Sequence, residues 1–111
     1  MSRDRARLLH IRDAIQRIRS YVTDRDSFLT QPLIQDAVIR NLEVIGEAVK
    51  VLGPEIRMQR TEIPWSDIAA MRDRLIHGYF AVDLDLVWDV VADRLGSLEA
   101  AVESLLHSTN E

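Results

Sequence analysis

Cysteine is absent from the sequence. That absence excludes disulfides, thiolate nucleophiles and Cys-ligated zinc or iron–sulfur centres, and it suits a reducing cytosol. Long apolar runs are missing too: no stretch approaches the roughly 18 residues that a transmembrane helix requires. Residues Ser2 to Arg7 lead into charged sequence, not into an apolar signal core. A cytoplasmic protein with no membrane partner is the expectation. Lysine is nearly missing, since Lys50 is the single lysine among 14 basic residues. Arginine, the better bidentate partner for phosphate and carboxylate, therefore carries almost all the positive charge. The net charge of −4 argues against indiscriminate nucleic-acid binding, which depends on an excess of such cations.

What remains is a globular composition. Of 111 residues, 47% are hydrophobic and 29% charged, which predicts one domain spanning 1–111. Charge is unevenly divided. Residues 1–60 hold 11 basic against 8 acidic side chains, a balance of +3, and residues 61–111 hold 3 against 10, a balance of −7. A locally basic face is compatible with the acidic whole.

Apolar residues recur at helical spacing throughout. Leu8, Ile11, Ile15, Ile18 and Val22 form one stripe of a helix over about 3–22. A polar, turn-like segment from Thr23 to Thr30 follows. Thr30 and Pro32 then supply an N-cap and an early proline for a second helix, with Leu33, Ala37, Val38, Ile45, Val49 and Leu52 as its stripe. Gly53-Pro54 ends it, and Glu55 to Ile63 reads as a loop or short helical turn carrying Arg57 and Arg60. Pro64 opens a third helix through Trp65, Ile68, Met71 and Leu75, ending near Gly78. After a connection at 81–83, with Asp83 or Asp85 as cap, a long fourth helix presents Val87, Val91, Leu95, Leu98, Val102 and Leu105. The expectation is an all-α antiparallel bundle of four to five helices.

Arg, Asp, His and Tyr crowd into Met71-Arg72-Asp73-Arg74-Leu75-Ile76-His77-Gly78-Tyr79-Phe80, around a predicted helix end. Asp73 and His77 are four apart and share a helix face, so the carboxylate can orient the imidazole and favour its protonated form. Arg72 and His77 are five apart, about 140° around a regular helix. They converge only if the helix breaks near His77, or if two copies of the motif meet across a two-fold interface. An Arg and a His without metal ligands suit cleavage of an RNA phosphodiester, where the neighbouring 2′-hydroxyl is the nucleophile. About one chain in three of this composition would carry an Arg five places before a His by chance, so the pair alone does not assign the chemistry. A helix-end cap at His77 and a surface ion pair at Arg72 are the structural counterparts of that reading.

The same residues resemble the HepT family of the HEPN superfamily. The likeness is carried by Ile63-Pro64-Trp65, by the stretch from Met71 to Phe80, by Val82-Asp83 and Val87-Trp88, and by Asn41 to Ala48 (Asn-Leu-Glu-Val-Ile-Gly-Glu-Ala). The HEPN pattern is Arg, four to six residues of which the first is polar, then His; HepT continues through one residue to Tyr. Arg72, Asp73, His77 and Tyr79 match it in turn. The resemblance implies a HEPN fold and a homodimer with the motif near a cleft between protomers. It implies the toxin of a type VII toxin–antitoxin pair, a metal-independent, cofactor-free endoribonuclease. Arg72 and His77 would be its catalytic pair and Asp73 the supporting residue. The implied partner is a minimal nucleotidyltransferase antitoxin that places AMP on Tyr79, where a bulky anion would block RNA. Many relatives carry Asn where Asp73 stands.

Other residues read more plainly. Glu43 and Glu47, four apart, imitate an acid–base pair but fit a solvated helix face; His10 and His107 have no neighbouring ligands. Trp65 and Trp88 read as core or dimer contacts before base-stacking platforms. A competing function, motivated by the acidic net charge, is a non-catalytic helical dimer that binds a nucleotidyltransferase or a nucleotide.

Overall fold

A computed structural model of the chain describes residues 2–77 and 83–108. These residues form seven helices and no strand: α1 (Ser2–Tyr21), α2 (Arg25–Thr30), α3 (Pro32–Lys50), α4 (Pro54–Met58), α5 (Trp65–His77), α6 (Leu84–Asp93) and α7 (Leu95–Ser108). The all-α architecture is the expected one. The helix count exceeds four to five because two short helices fill the connections and the last long helix is broken.

Helix α3 is the centre of the packing, with α1, α2 and α5 against it, while α7 lies on α1 and α6 bridges α7 and α2. Helix α1 runs antiparallel to both long neighbours. At its start, the Asp4 carboxylate accepts the Gly53 backbone N–H (3.0 Å) just past the end of α3, and Arg5 donates to the Leu106 carbonyl (3.2 Å) near the end of α7. Further along α1, Arg12 and Arg19 face Glu103 and Glu99 of α7. The predicted first stripe is the driest part of the molecule, with Leu8, Ile11, Ile15 and Ile18 all 0% exposed.

The segment 23–30 is not turn-like throughout: from Arg25 to Thr30 it is helical. Asp24 caps α2, its carboxylate accepting the Ser27 N–H at 2.7 Å, and Phe28 anchors the helix in the core against Trp88, ring centroids 5.8 Å apart. Thr30 is the last residue of α2, its hydroxyl donating to the Asp26 carbonyl; Gln31 occupies the N-cap of α3 without a side-chain bond, followed by the expected Pro32. Leu33 is 82% exposed, which corrects the predicted stripe. Five positions before buried Val38 it lies about 140° off the stripe, whereas Ile34, four before, lies only about 40° off and packs on the core.

Asp83 caps α6 as expected, accepting the N–H groups of Asp85 and Leu86. The fourth predicted helix is interrupted at Arg94, where α6 ends and α7 begins; a Gly96-Ser97 pair follows at once, the composition at which helices bend. Val87, Leu95, Leu98, Val102 and Leu105 are nevertheless all buried, so both halves stay on the core.

Candidate functional site

Helix α5 carries the motif, and its start and its middle are held differently. At the start, Ile63 and Trp65 are buried, and the indole N–H donates to the carbonyls of Arg57 (3.1 Å) and Arg60 (2.9 Å), which fastens α5 to α4. Between α4 and the first turn of α5 lies an open groove of about 390 Å³ lined by Arg57, Met58, Thr61 and Asp67 among others. Trp65 is therefore a core residue, as its sequence context suggested.

The middle of α5 is held by close backbone approach. A Cβ placed on Gly46 of α3 would stand 2.7 Å from the Arg72 Cβ, 3.1 Å from the Ile68 carbonyl oxygen and 3.3 Å from the Arg72 nitrogen. Only a residue without a side chain lets α5 lie this near to α3. Arg72 consequently emerges at the crossing itself, its side chain 27% exposed. Its Nε lies 4.0 Å from Glu47 Oε2 and its Nη1 3.3 Å from Asp73 Oδ1. The guanidinium thus sits between two carboxylates whose side chains are 63% and 55% exposed.

The structure brings Arg72, Asp73 and Glu47 together. Glu43 and Glu47 do not act as a pair: Glu43 faces Arg40 at 3.8 Å, and Glu47 faces Arg72. His77 is the last residue of α5. The helix is continuous from Trp65 through His77, so the His77 backbone stays about 140° around from that of Arg72. Asp73, four residues before His77, shares its side of the helix. Gly78, Tyr79 and Phe80 lie outside the described residues, as does the connection at 81–82. Among the described residues no three His, Asp or Glu side chains cluster as metal ligands, and no helix is long and apolar enough to cross a membrane.

Two residues of this site, Gly46 and Glu47, lie outside the sequence motif and join it only through the packing of α3 on α5. The available signal was a lone glycine inside a strongly patterned helix, which marks a close packing approach.

The family described as ribonuclease HepT-like matches residues 11–105. The chain is 42% identical over 106 residues to a gamma-glutamylcyclotransferase of Methanocaldococcus jannaschii that is also provisionally named an RNase. That alignment takes in 94% of this chain and 48% of the relative, so the chain spans about half the length of that protein. It is 41% identical over 81 residues to a provisionally named RNase of Caldanaerobacter subterraneus subsp. tengcongensis, covering 73% of this chain and 72% of the other. It is 40% identical over 97 residues to a protein of Thermococcus cleftensis provisionally named ribonuclease HepT, covering 86% and 88%. No solved structure matches.

Proposed function

The chain belongs to the ribonuclease HepT-like family, and from that premise we propose that it is a metal-independent endoribonuclease toxin acting through Arg72 and His77. The observation that carries this reading is the placement of Arg72: a half-buried arginine, fixed at a tight helix crossing, five residues before the motif's histidine on the same helix.

The chemistry follows from the groups. A ribose 2′-hydroxyl attacks the adjacent phosphorus, the P–O5′ bond breaks, and a 2′,3′-cyclic phosphate and a 5′-hydroxyl result. His77 takes the proton from the 2′-oxygen or delivers one to the departing 5′-oxygen. Arg72 bears on the non-bridging oxygens, where negative charge grows in the transition state. Asp73 supports the pair from the same turn, holding Arg72 on one side. DNA has no 2′-hydroxyl and resists this route.

A second copy of the chain completes the site. A regular α5 keeps Arg72 and His77 on different sides of one helix, and a two-fold interface would set one motif against the other. Co-expressing Arg72→Ala with His77→Ala chains would then restore about a quarter of wild-type cleavage, since half the dimers are mixed and each has one intact site of two. A mixture as inactive as its parents would place the pair within a single chain.

The partner in this reading is a nucleotidyltransferase antitoxin that adds AMP to Tyr79, two residues beyond His77. The added phosphate would occupy the donors meant for RNA. Intact-mass measurement after co-expression with that partner should show whole AMP units, removed by Tyr79→Phe. RNA and partner would both be met in the cytosol.

The first test is incubation with RNA in EDTA. Wild type cleaves, and Arg72→Ala and His77→Ala each lower the rate by about 100-fold or more. Cleavage at the wild-type rate by His77→Ala ends the proposal, and an intact RNA with bound nucleotidyltransferase would favour the non-catalytic binding module.

A further inference from the structure

Resting on the ribonuclease reading, we propose that Glu47 is a positioning residue for Arg72 and an internal competitor for the RNA phosphate. It occupies the guanidinium in the free enzyme and yields it when substrate arrives. Three observations point there. The Glu47 carboxylate reaches Arg72 across the α3–α5 crossing, Oε2 to Nε 4.0 Å. Its own side chain is 63% exposed, so the pair adds little to folding and the carboxylate is free to swing away into water. The residue before it, Gly46, sets the contact that puts the Arg72 backbone beside it, with a hypothetical Cβ only 2.7 Å from the Arg72 Cβ. The arginine head therefore leaves the crossing alongside the next residue of α3.

A carboxylate in this place has two opposed consequences. It keeps a long, rotamer-rich side chain near one orientation, which favours catalysis. It also places a negative charge within a few ångströms of where a phosphate must sit, which weakens binding. In a water-exposed setting one such charge is worth about a threefold to tenfold change in affinity. A glutamine at 47 would keep a polar side chain of the same length beside the guanidinium while removing the repulsion; an alanine would remove both.

The test is a double-mutant cycle read by binding and by rate. A single-stranded, fully 2′-O-methylated RNA, which has no free 2′-hydroxyl and cannot be cut, is titrated by fluorescence anisotropy against wild type, Glu47→Gln, Arg72→Ala and the double variant. Glu47→Gln should tighten binding about threefold to tenfold in the wild-type background and less than about twofold when Arg72 is alanine. With cleavable RNA, Glu47→Gln should lower KM with kcat held within about twofold, and Glu47→Ala should lower kcat about tenfold as well. Equal tightening in both backgrounds would reduce Glu47 to a general surface charge, and no tightening in either would overturn the proposal outright. An Arg72→Ala protein that binds and cuts as wild type does would remove the ribonuclease reading and this inference with it. If Arg72→Ala is inactive and Glu47 substitutions change nothing, only the role of Glu47 falls.

Discussion

Helices α1 and α5 both lean on α3, and they do so by opposite means. Helix α1 contributes Leu8, Ile11, Ile15 and Ile18, each 0% exposed, and its attachment is a matter of apolar volume. Helix α5 is secured at its ends by Trp65 and Leu75, 6% and 8% exposed, whereas Ile68 and Met71 are only partly buried and Ile76 is 38% exposed. Between those ends the contact is backbone against backbone at Gly46. The helix that carries the motif is thus located by a steric fit more than by bulk burial. A helix of that kind can present a cation and a carboxylate at its packed face without losing its place.

The contrast can be broken most forcefully on the α1 side. Ile15→Ala deletes fully buried methyl groups and should lower stability by about 2–5 kcal/mol in urea unfolding, while the protein that remains folded cuts RNA with unchanged kcat. Gly46→Ala should show the reverse emphasis. The added methyl forces α5 outward by several tenths of an ångström, with a stability loss of about 1–3 kcal/mol and a fall in kcat larger than that loss implies. A Gly46→Ala protein with normal kcat would show that the crossing does not locate Arg72.

Smaller effects sharpen the boundary between the two regions. Asp24→Ala removes the cap of α2, which packs on α3 and α6, and should lower stability by about 1 kcal/mol with kcat within about twofold of wild type. Leu33→Ser, at a side chain 82% exposed, should shift stability by less than about 0.5 kcal/mol. A larger loss at Leu33, growing with protein concentration, would mean that a partner surface covers it.

How much of this was readable beforehand follows from the range over which each signal acts. The α1 stripe is local and strictly periodic, and all of it but the half-buried Val22 proved fully buried. The Asp83 cap is equally local. Leu33 misled because apolar identity was read without its phase, five residues and not four from Val38. Helix α2 was too short for periodicity to register, and its evidence was the single carboxylate of Asp24 placed three residues before Ser27. The break at Arg94 left no mark in a stripe that stays apolar on both sides. At the site, Arg72, Asp73, His77 and Tyr79 were legible as a motif because they are close in sequence. Glu47 and Gly46 meet Arg72 from 25 residues or more away, and only the packing of α3 on α5 reveals them.

The central claim is that Arg72 and His77 serve an attack by the RNA's own 2′-oxygen. Analysis of the fragment ends formed in EDTA tests it most directly. The account predicts 5′-hydroxyl and 2′,3′-cyclic phosphate termini from wild type and no fragments from His77→Ala. Fragments bearing 5′-phosphate and 3′-hydroxyl ends would contradict it, because those ends require an external water as nucleophile.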